Sequence, residues 1–340
     1  MTYLLSTTRP VGTTPVDLPL LGYGAGALGN LYRAIGDEVA LAAIDTARQA
    51  GITYLDTAPH YGQGLSERRI GLSDWRGKIS TKVGRRLEAI APPAAGFMRH
   101  GFVDGDAFEP VFDYTYDGVM RAFKDSLLRL GRDRVDVLLA HDLGRETHGA
   151  DHGRHLRDFL DGGYKAMRSL KDGGLVGAIG LGVNEWQVCA DVLPYTDLDV
   201  FLLAGRYTLL EQTALDSFLP ECQRRNISII VGGPYNSGIL IEGIKPGGVT
   251  HYNYEPAPAD IIRRVAGLQS ICADHRIPLA AAALQFPLAH PTVTCVIPGM
   301  ASSEQVISNV DLFSMKIPSS LWSDLKAAGL LHPSAPLPQA

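Results

Sequence analysis

"GAGALG" at residues 24–29 spells G-x-G-x-x-G, the pattern of a dinucleotide-binding turn, and its reading decides the fold. If the turn is of the Rossmann type, a helix begins inside the glycines so that its N-terminus meets a pyrophosphate. Here "NLYRAIG" follows, and the amphipathic run starts only at Asp37. Asp45, spaced as a ribose-binding acid should be, then falls inside that helix rather than at the end of a second strand. With 37 glycines in 340 residues the pattern arises easily by chance. The motif is read instead as a first strand whose glycines let backbone pass close to something bound nearby.

Working outward, short β-rich runs alternate with helical ones. Strands are expected at 53–58, 78–83, 135–141, 176–183, 199–205, 227–233 and 293–299, with "PLLGYGAGAL" holding the first. Several are unbroken runs of β-branched and apolar residues, as in parallel strands covered on both faces. Between them, apolar residues recur every three or four positions in "DEVALAAIDTARQAG", "YDGVMRAFKDSLLRLG", "YKAMRSLKDGG", "EWQVCADVL", "ALDSFLPECQRRN" and "ADIIRRVAGLQSICADH". Eight such units without a linker describe one α/β domain, a (β/α)8 TIM barrel over residues 1–330 with 331–340 as a loose tail, and a doubly wound sheet is the competing arrangement. The long insertions 84–112, 142–163 and 234–259 all follow strand C-termini, the active-site face of a barrel.

Composition narrows the class. Net charge is −5 with scattered Lys and Arg, which excludes an electrostatic footprint for nucleic acid. No apolar run is long enough to span a bilayer, and "MTYLLSTTRP" lacks the form of a secretory signal, so a cytoplasmic protein is expected. Cys189, Cys222, Cys272 and Cys295 form no CxxC pair and read as small buried hydrophobes.

Chemistry gathers at strand ends. "LDTAPHYG" supplies Asp56 and Tyr61, "STKVG" supplies Lys82, and "LLAHD" supplies His141. Adjacent strands of a barrel bring these to one mouth. A phenol titrates near 10, and an ammonium beside it is expected to lower that by roughly 1–3 units. Asp56 would hold the lysine, and His141 could donate to a substrate oxygen.

Those motifs, with "LGYGAGALG", "AIGLGV" and "VIPGMASSEQVISNV", make the sequence resemble an aldo-keto reductase along nearly its whole length. The resemblance implies a barrel that binds a nicotinamide cofactor without a Rossmann domain. It implies a catalytic tetrad of Asp56, Tyr61, Lys82 and His141, with Tyr61 as general acid/base and a small-molecule substrate. The family pattern is broken elsewhere. Its Ser-Asn after strand five matches Gly182-Val183, with Asn184 one place later. Its glutamine of strand six falls at Ala204, and its stacking aromatic after strand seven at Gly232. Tyr235, Asn236 and Ser237 are expected near the pyrophosphate, and Asn184, Pro234, Gly238, Gly299, Gln305 and Asn309 are further expected cofactor contacts.

Ser302 and Gln305 make a capping-box signature at the last helix. The cations that hold a 2′-phosphate in NADPH-dependent members match Gly299 and Gln305, both uncharged, so NAD is favoured over NADP. "GALGNLYR", "GLGVNEW" and "AGRYTLLEQ" resemble the branch with L-fucose or D-threo-aldose 1-dehydrogenases and pyridoxal 4-dehydrogenase. That implies oxidation of a cyclic hemiacetal, such as an aldose, to its lactone, with pyridoxal oxidation or NADPH-dependent aldehyde reduction as alternatives. Two rivals come from other classes: a cofactor-sensing subunit, and a metal site in "HGADHGRH", where His148, His152 and His155 surround Asp151. That segment reads better as a solvated loop beside the mouth, with no metal. His60 and Arg206 are further candidates for substrate contact.

Overall fold

In the computed structural model, residues 4–244, 251–252 and 255–339 are described. Part of the 234–259 insertion therefore lies outside the described residues. Eight parallel strands form one sheet: β1 (Tyr23–Gly24), β2 (Tyr54–Asp56), β3 (Lys78–Val83), β4 (Val135–His141), β5 (Val176–Val183), β6 (Val200–Ala204), β7 (Ser228–Gly232) and β8 (Val293–Ile297). Each pairs with its neighbour in chain order. The first and last close the ring through Gly22 N–H to Val296 O (2.9 Å), Val296 N–H to Leu20 O (2.9 Å) and Gly24 N–H to Pro298 O (2.9 Å). The fold is a (β/α)8 barrel.

The helix after β1 starts at Asp37 and runs to Gln49, so Asp45 sits within it. The glycines 24–29 carry no helix that could face a pyrophosphate; they form a 3-10 turn, Ala25–Gly29. Leu65–Leu72, Leu279–Gln285 and Ser319–Ala327 escape the periodicity reading, and the first is the one nearest the reactive strand ends. Leu65–Leu72, between β2 and β3, buries Ser66, Glu67 and Arg69, which a hydrophobic pattern cannot flag.

Two apolar layers hold the barrel. The larger lies between strands and helices. The smaller fills the barrel interior with Tyr54, Val137, Leu139, Ala178, Val200, Leu202, Ile230, Cys295 and Ile297, and Val11, Val16 and Leu18 join it from the N-terminal hairpin Thr8–Pro10/Asp17–Pro19. All four cysteines are buried free thiols. The terminal segment expected to hang loose is tied down in places: Leu331 and Ala335 are buried, and Lys326 Nζ donates to Ala335 O at 3.2 Å. Among the described residues no helix is long and apolar enough to cross a membrane.

Candidate active site

Side chains alternate along a strand, so the interior residues fix which strand-end positions look inward. Tyr54 and Leu139 point into the barrel; so, two residues on, do Asp56 and His141. Lys82 follows from β3, where Asp56 pairs with Ser80 and Lys82 with Leu139. The same parity, from Ala178, Leu202, Ile230 and Ile297, brings Gly182, Ala204, Gly232 and Gly299 to the mouth. One side of the mouth is therefore ionisable and the other nearly bare.

On the ionisable side, Lys82 is 1 % exposed and Asp56 2 %. Lys82 Nζ donates to Asp56 Oδ2 (2.7 Å), to Thr57 O (2.8 Å) and to the Tyr61 hydroxyl (3.1 Å). Asp56 Oδ1 accepts from Ser80 Oγ at 2.6 Å, and Ser80 meets Tyr54 OH at 2.7 Å. Both ions are thus paired and hydrogen-bonded, which a buried charge needs. The His141 ring stands nearly perpendicular to Tyr61, with centroids 5.9 Å apart. The four residues expected from sequence meet.

The turn that delivers Tyr61 depends on the opening motif. Gly62, Gln63 and Gly64 have φ of 65°, 53° and 104°, a left-handed run. A Cβ on Gly29 would lie 2.4 Å from the Tyr61 carbonyl carbon, and one on Gly62 would lie 2.4 Å from Gly29 O. The last glycine of "GAGALG" therefore seats Tyr61. Gly26, by contrast, has nothing within 4 Å of where its Cβ would be, and it lines the mouth.

Burial pushes the Tyr61 phenol up to about 12; Lys82 pulls it down but does not win. The net direction is thus opposite to the expectation from an ammonium neighbour alone, because desolvation of the phenolate outweighs the cation. Lys82 is held above its ordinary value: desolvation pulls it down, and Asp56 and Tyr61 together more than compensate. Burial, with Arg85 and Lys82 nearby, pushes His141 well below the imidazole range, so its ring is neutral.

A cavity of about 340 Å³ opens over Tyr61, Lys82 and His141. Gly26, Gly182 and Ala204 give it a floor with little side chain, and Leu31, Tyr32, His60, His100 and Phe102 wall it. Sequence reasoning missed most of that wall. Much of it comes from the 84–112 insertion, whose ribbon Met98–Arg99/Phe102–Val103 is strapped to the β1 loop by Val103 N–H to Asn30 O (3.0 Å) and Tyr32 N–H to Gly101 O (2.9 Å). Phe102 meets His60 edge to face at 5.4 Å. His60, a candidate from sequence, is on this wall. Arg206 is not; it donates to Asn184 O and pairs with Glu146 at 3.6 Å.

Asn184 lines the cavity and donates to Asp142 Oδ1 at 3.1 Å. Tyr235 OH donates to Asn309 Oδ1 (2.6 Å), and Asn309 Nδ2 donates to Gln305 O (2.8 Å), tying the loop after β7 to the helix Ser303–Ser314. Ser302 caps that helix, accepting from Gln305 N–H at 3.4 Å; Gln305 Oε1 accepts from Ala301 N–H at 2.7 Å. The two capping bonds join the ends the motif implies, one residue further out on the return. Pro234, Ser237 and Gly238 lie in the same loop, and Gly238 precedes the short helix Ile239–Glu242. Gly299 pairs with Gly24 and has open space where a Cβ would stand, its nearest neighbour 4.0 Å away.

The "HGADHGRH" segment is not a solvated loop. It forms helical turns, Arg145–His148 and His152–Asp158, that bury His152 and His155. His148 and His155 lie 4.2 Å apart between ring centroids, against Phe112 and Tyr114. Aromatic partners from distant sequence explain the burial. Burial also drives His148 down to about 4. Among the described residues no group of three or more His, Cys, Asp or Glu is arranged to hold a metal ion.

A parallel barrel with an ionisable cluster at its C-terminal mouth defines a class of enzyme scaffold. Comparison gives the particular family. The model of the Aldo/keto reductase family matches residues 20–329, and the chain belongs to that family. It is 41% identical over 338 residues to pyridoxal 4-dehydrogenase of Microbacterium luteolum, covering 96% of this chain and 98% of that protein. It is 36% identical over 335 residues to D-threo-aldose 1-dehydrogenase of a Pseudomonas species, covering 96% and 99%. An aldo-keto reductase from Bacillus halodurans in its holo form superposes with a TM-score of 0.73 over 97% of both chains, at 24% identity. The protein is an NAD(P)-dependent oxidoreductase acting on a small molecule.

Proposed function

We propose that the chain is an NAD-dependent dehydrogenase that oxidises a cyclic hemiacetal to its lactone, with Tyr61 as general acid/base. The carrying observation is the Lys82 ammonium held between Asp56 and the Tyr61 hydroxyl at the base of the cavity. A bound nicotinamide supplies the hydride acceptor. The bare side of the mouth suits such a group: Gly26, Gly182 and Ala204 leave room for a flat ring beside Tyr61, and Asn184 is a polar side chain beside that floor. Tyr235, Gln305 and Asn309 would border the rest of the cofactor.

In the direction of oxidation, the substrate hydroxyl lies against Tyr61 and His141. His141, neutral, donates to the substrate oxygen and orients it. Tyr61 takes the hydroxyl proton as the hydride leaves the same carbon, and Lys82 stabilises the phenolate needed for that step. Because Tyr61 holds its proton up to about 12 in the free protein, the resting site is poised as an acid, and oxidation is favoured by alkaline pH.

The relatives point to pyridoxal and D-threo-aldoses as the first substrates to test. Both present a hydroxyl on a ring carbon next to the ring oxygen. The uncharged Gly299 and Gln305 support NAD over NADP, since a 2′-phosphate there would forgo charge-assisted bonds worth about 1.5–3 kcal/mol each. The test is the initial rate of nicotinamide reduction with NAD and NADP, using pyridoxal, L-fucose and D-threo-aldoses, with the lactone identified by mass. Activity with NAD on one hemiacetal supports the reading. A clear preference for NADP, or an open-chain acid as the first product, contradicts it.

A further inference from the structure

Beyond Asp56, Tyr61, Lys82 and His141, one buried carboxylate at the mouth has no assigned part. Asp142 follows His141 directly, is 8 % exposed and lines the cavity. Its φ is 49°, a left-handed conformation that a non-glycine residue adopts at a cost. The surroundings enforce it. Tyr114 OH donates to His141 O at 2.5 Å and reaches Asp142 O at 3.2 Å, pinning both carbonyls. Tyr114 in turn packs on Gly84, where a Cβ would lie 2.2 Å from its ring. The glycine of "STKVG" is thus needed to hold the backbone of His141 and Asp142.

Both Asp142 oxygens are engaged by donors. Oδ2 accepts from Arg85 at 2.5 Å, and Oδ1 accepts from Asn184 Nδ2 at 3.1 Å. Arg85 is itself fixed, its guanidinium 4.5 Å over the Phe112 ring and 3.3 Å from the His60 imidazole. Burial raises the Asp142 carboxyl above its ordinary range while Arg85 pulls it back. The Arg85 guanidinium on Oδ2 and the Asn184 amide on Oδ1 both favour the ionised form, and Asp142 is taken as a carboxylate paired with Arg85. Its Oδ2 lies 3.4 Å from His141 Nε2. The other ring nitrogen, Nδ1, is buried with no hydrogen-bond partner among the described residues. A neutral imidazole carries one hydrogen, and a lone pair turned toward a carboxylate at that distance would be repelled.

We propose that Asp142, neutralised by Arg85 and steered by Asn184, is a positioning residue that fixes His141 as the Nε2–H tautomer, so that Nε2 is the donor offered to substrate. The logic parallels the orienting carboxylate of a catalytic triad, with the carboxylate meeting the donor nitrogen sideways rather than the far side of the ring. It assigns the unpartnered Nδ1 the bare lone pair rather than the N–H. The inference concerns the resting protein and stands apart from which hemiacetal is oxidised.

The test is the 15N spectrum of the full-length protein labelled at histidine, with the His141 signals assigned by their loss in His141→Asn. The expected result is a protonated Nε2 and a bare Nδ1 in the wild type. Asp142→Asn turns an amide N–H toward Arg85 or Asn184 and removes the charge. It should populate the Nδ1–H form and lower kcat by roughly 100-fold, the size of losing an oriented proton donor. A wild-type His141 protonated at Nδ1 would overturn the proposal, whether or not any variant folds. So would an Asp142→Asn protein with the wild-type tautomer and wild-type turnover. A protein silent on every hemiacetal but showing Nε2–H would fail only the functional reading.

Discussion

The two halves of the barrel mouth are built on opposite principles. Across β2, β3 and β4 the inward positions are Asp56, Lys82 and His141, all buried; Asp56 and Lys82 are locked by hydrogen bonds of 2.6–3.1 Å that run from Ser80 to Tyr61. Across β5 to β8 the corresponding positions are Gly182, Ala204, Gly232 and Gly299, where a polar side chain is absent. The first half carries function as charge; the second carries it as space. Chemistry that moves a proton needs a fixed set of residue types, whereas a surface against which a flat ring rests needs only the removal of side chains.

Substitutions that attack the charged half should hurt most. Lys82→Met leaves Asp56 buried without its cation. Removing one partner of a buried pair costs about 3–5 kcal/mol, so chemical denaturation should show a stability loss of that order together with lost turnover. If Lys82→Met were as stable as the wild type, Asp56 and Lys82 would not be the coupled pair described. Next comes the seat of Tyr61. Gly29→Ala forces a methyl to 2.4 Å from the Tyr61 backbone, and it should cost about 1–3 kcal/mol and lower kcat more than the KM for NAD. An alanine variant with unchanged kinetics would detach "GAGALG" from the reactive centre.

The bare half should respond in specificity rather than stability. Gly299 has open space, so Gly299→Lys with Gln305→Arg should fold normally and raise the kcat/KM ratio of NADP to NAD by roughly 10- to 100-fold, the worth of a charge-assisted bond or two. Steady-state rates with both cofactors decide it. No change would move the 2′-phosphate away from these residues. A change of pH perturbs the charged half without any substitution. The Tyr61 phenol is raised to about 12, so the fraction able to accept a proton grows about tenfold per pH unit below that value. Oxidation should therefore speed up from neutral to alkaline pH, while carbonyl reduction, which uses the protonated phenol, should not. A flat oxidation profile over the same range would remove Tyr61 as the base.

What the sequence made legible follows the same division. Continuous apolar runs such as "VDVLLAH" announced the strands, and ionisable residues at their ends announced the cluster, because both signals are local. The helix Leu65–Leu72 was hidden because its buried face is polar: Glu67 is met by Arg129 at 2.7 Å and Thr81 at 2.5 Å, and Arg69 by the Asn30 side chain at 2.8 Å. Such a face looks like solvent-exposed sequence until distant partners arrive. The burial of His152 and His155 was hidden for a related reason, since Phe112 and Tyr114 come from a distant stretch of the chain. Asp142 stood in plain view in "LLAHD", yet nothing local told it from a turn residue. Only Arg85 and Asn184, brought from other strand ends, reveal its part.

Tyr61, with its hydroxyl on Lys82, is the group proposed to move the substrate proton. The most direct measurement compares turnover of NAD with a hemiacetal substrate and NAD binding, side by side, in the wild type and Tyr61→Phe. Since the hydroxyl bonds only Lys82 among its described partners, the variant should fold and bind NAD as the wild type does, with kcat lower by roughly 100- to 10,000-fold. A Tyr61→Phe protein that binds NAD and still oxidises the substrate at the wild-type rate would contradict the account.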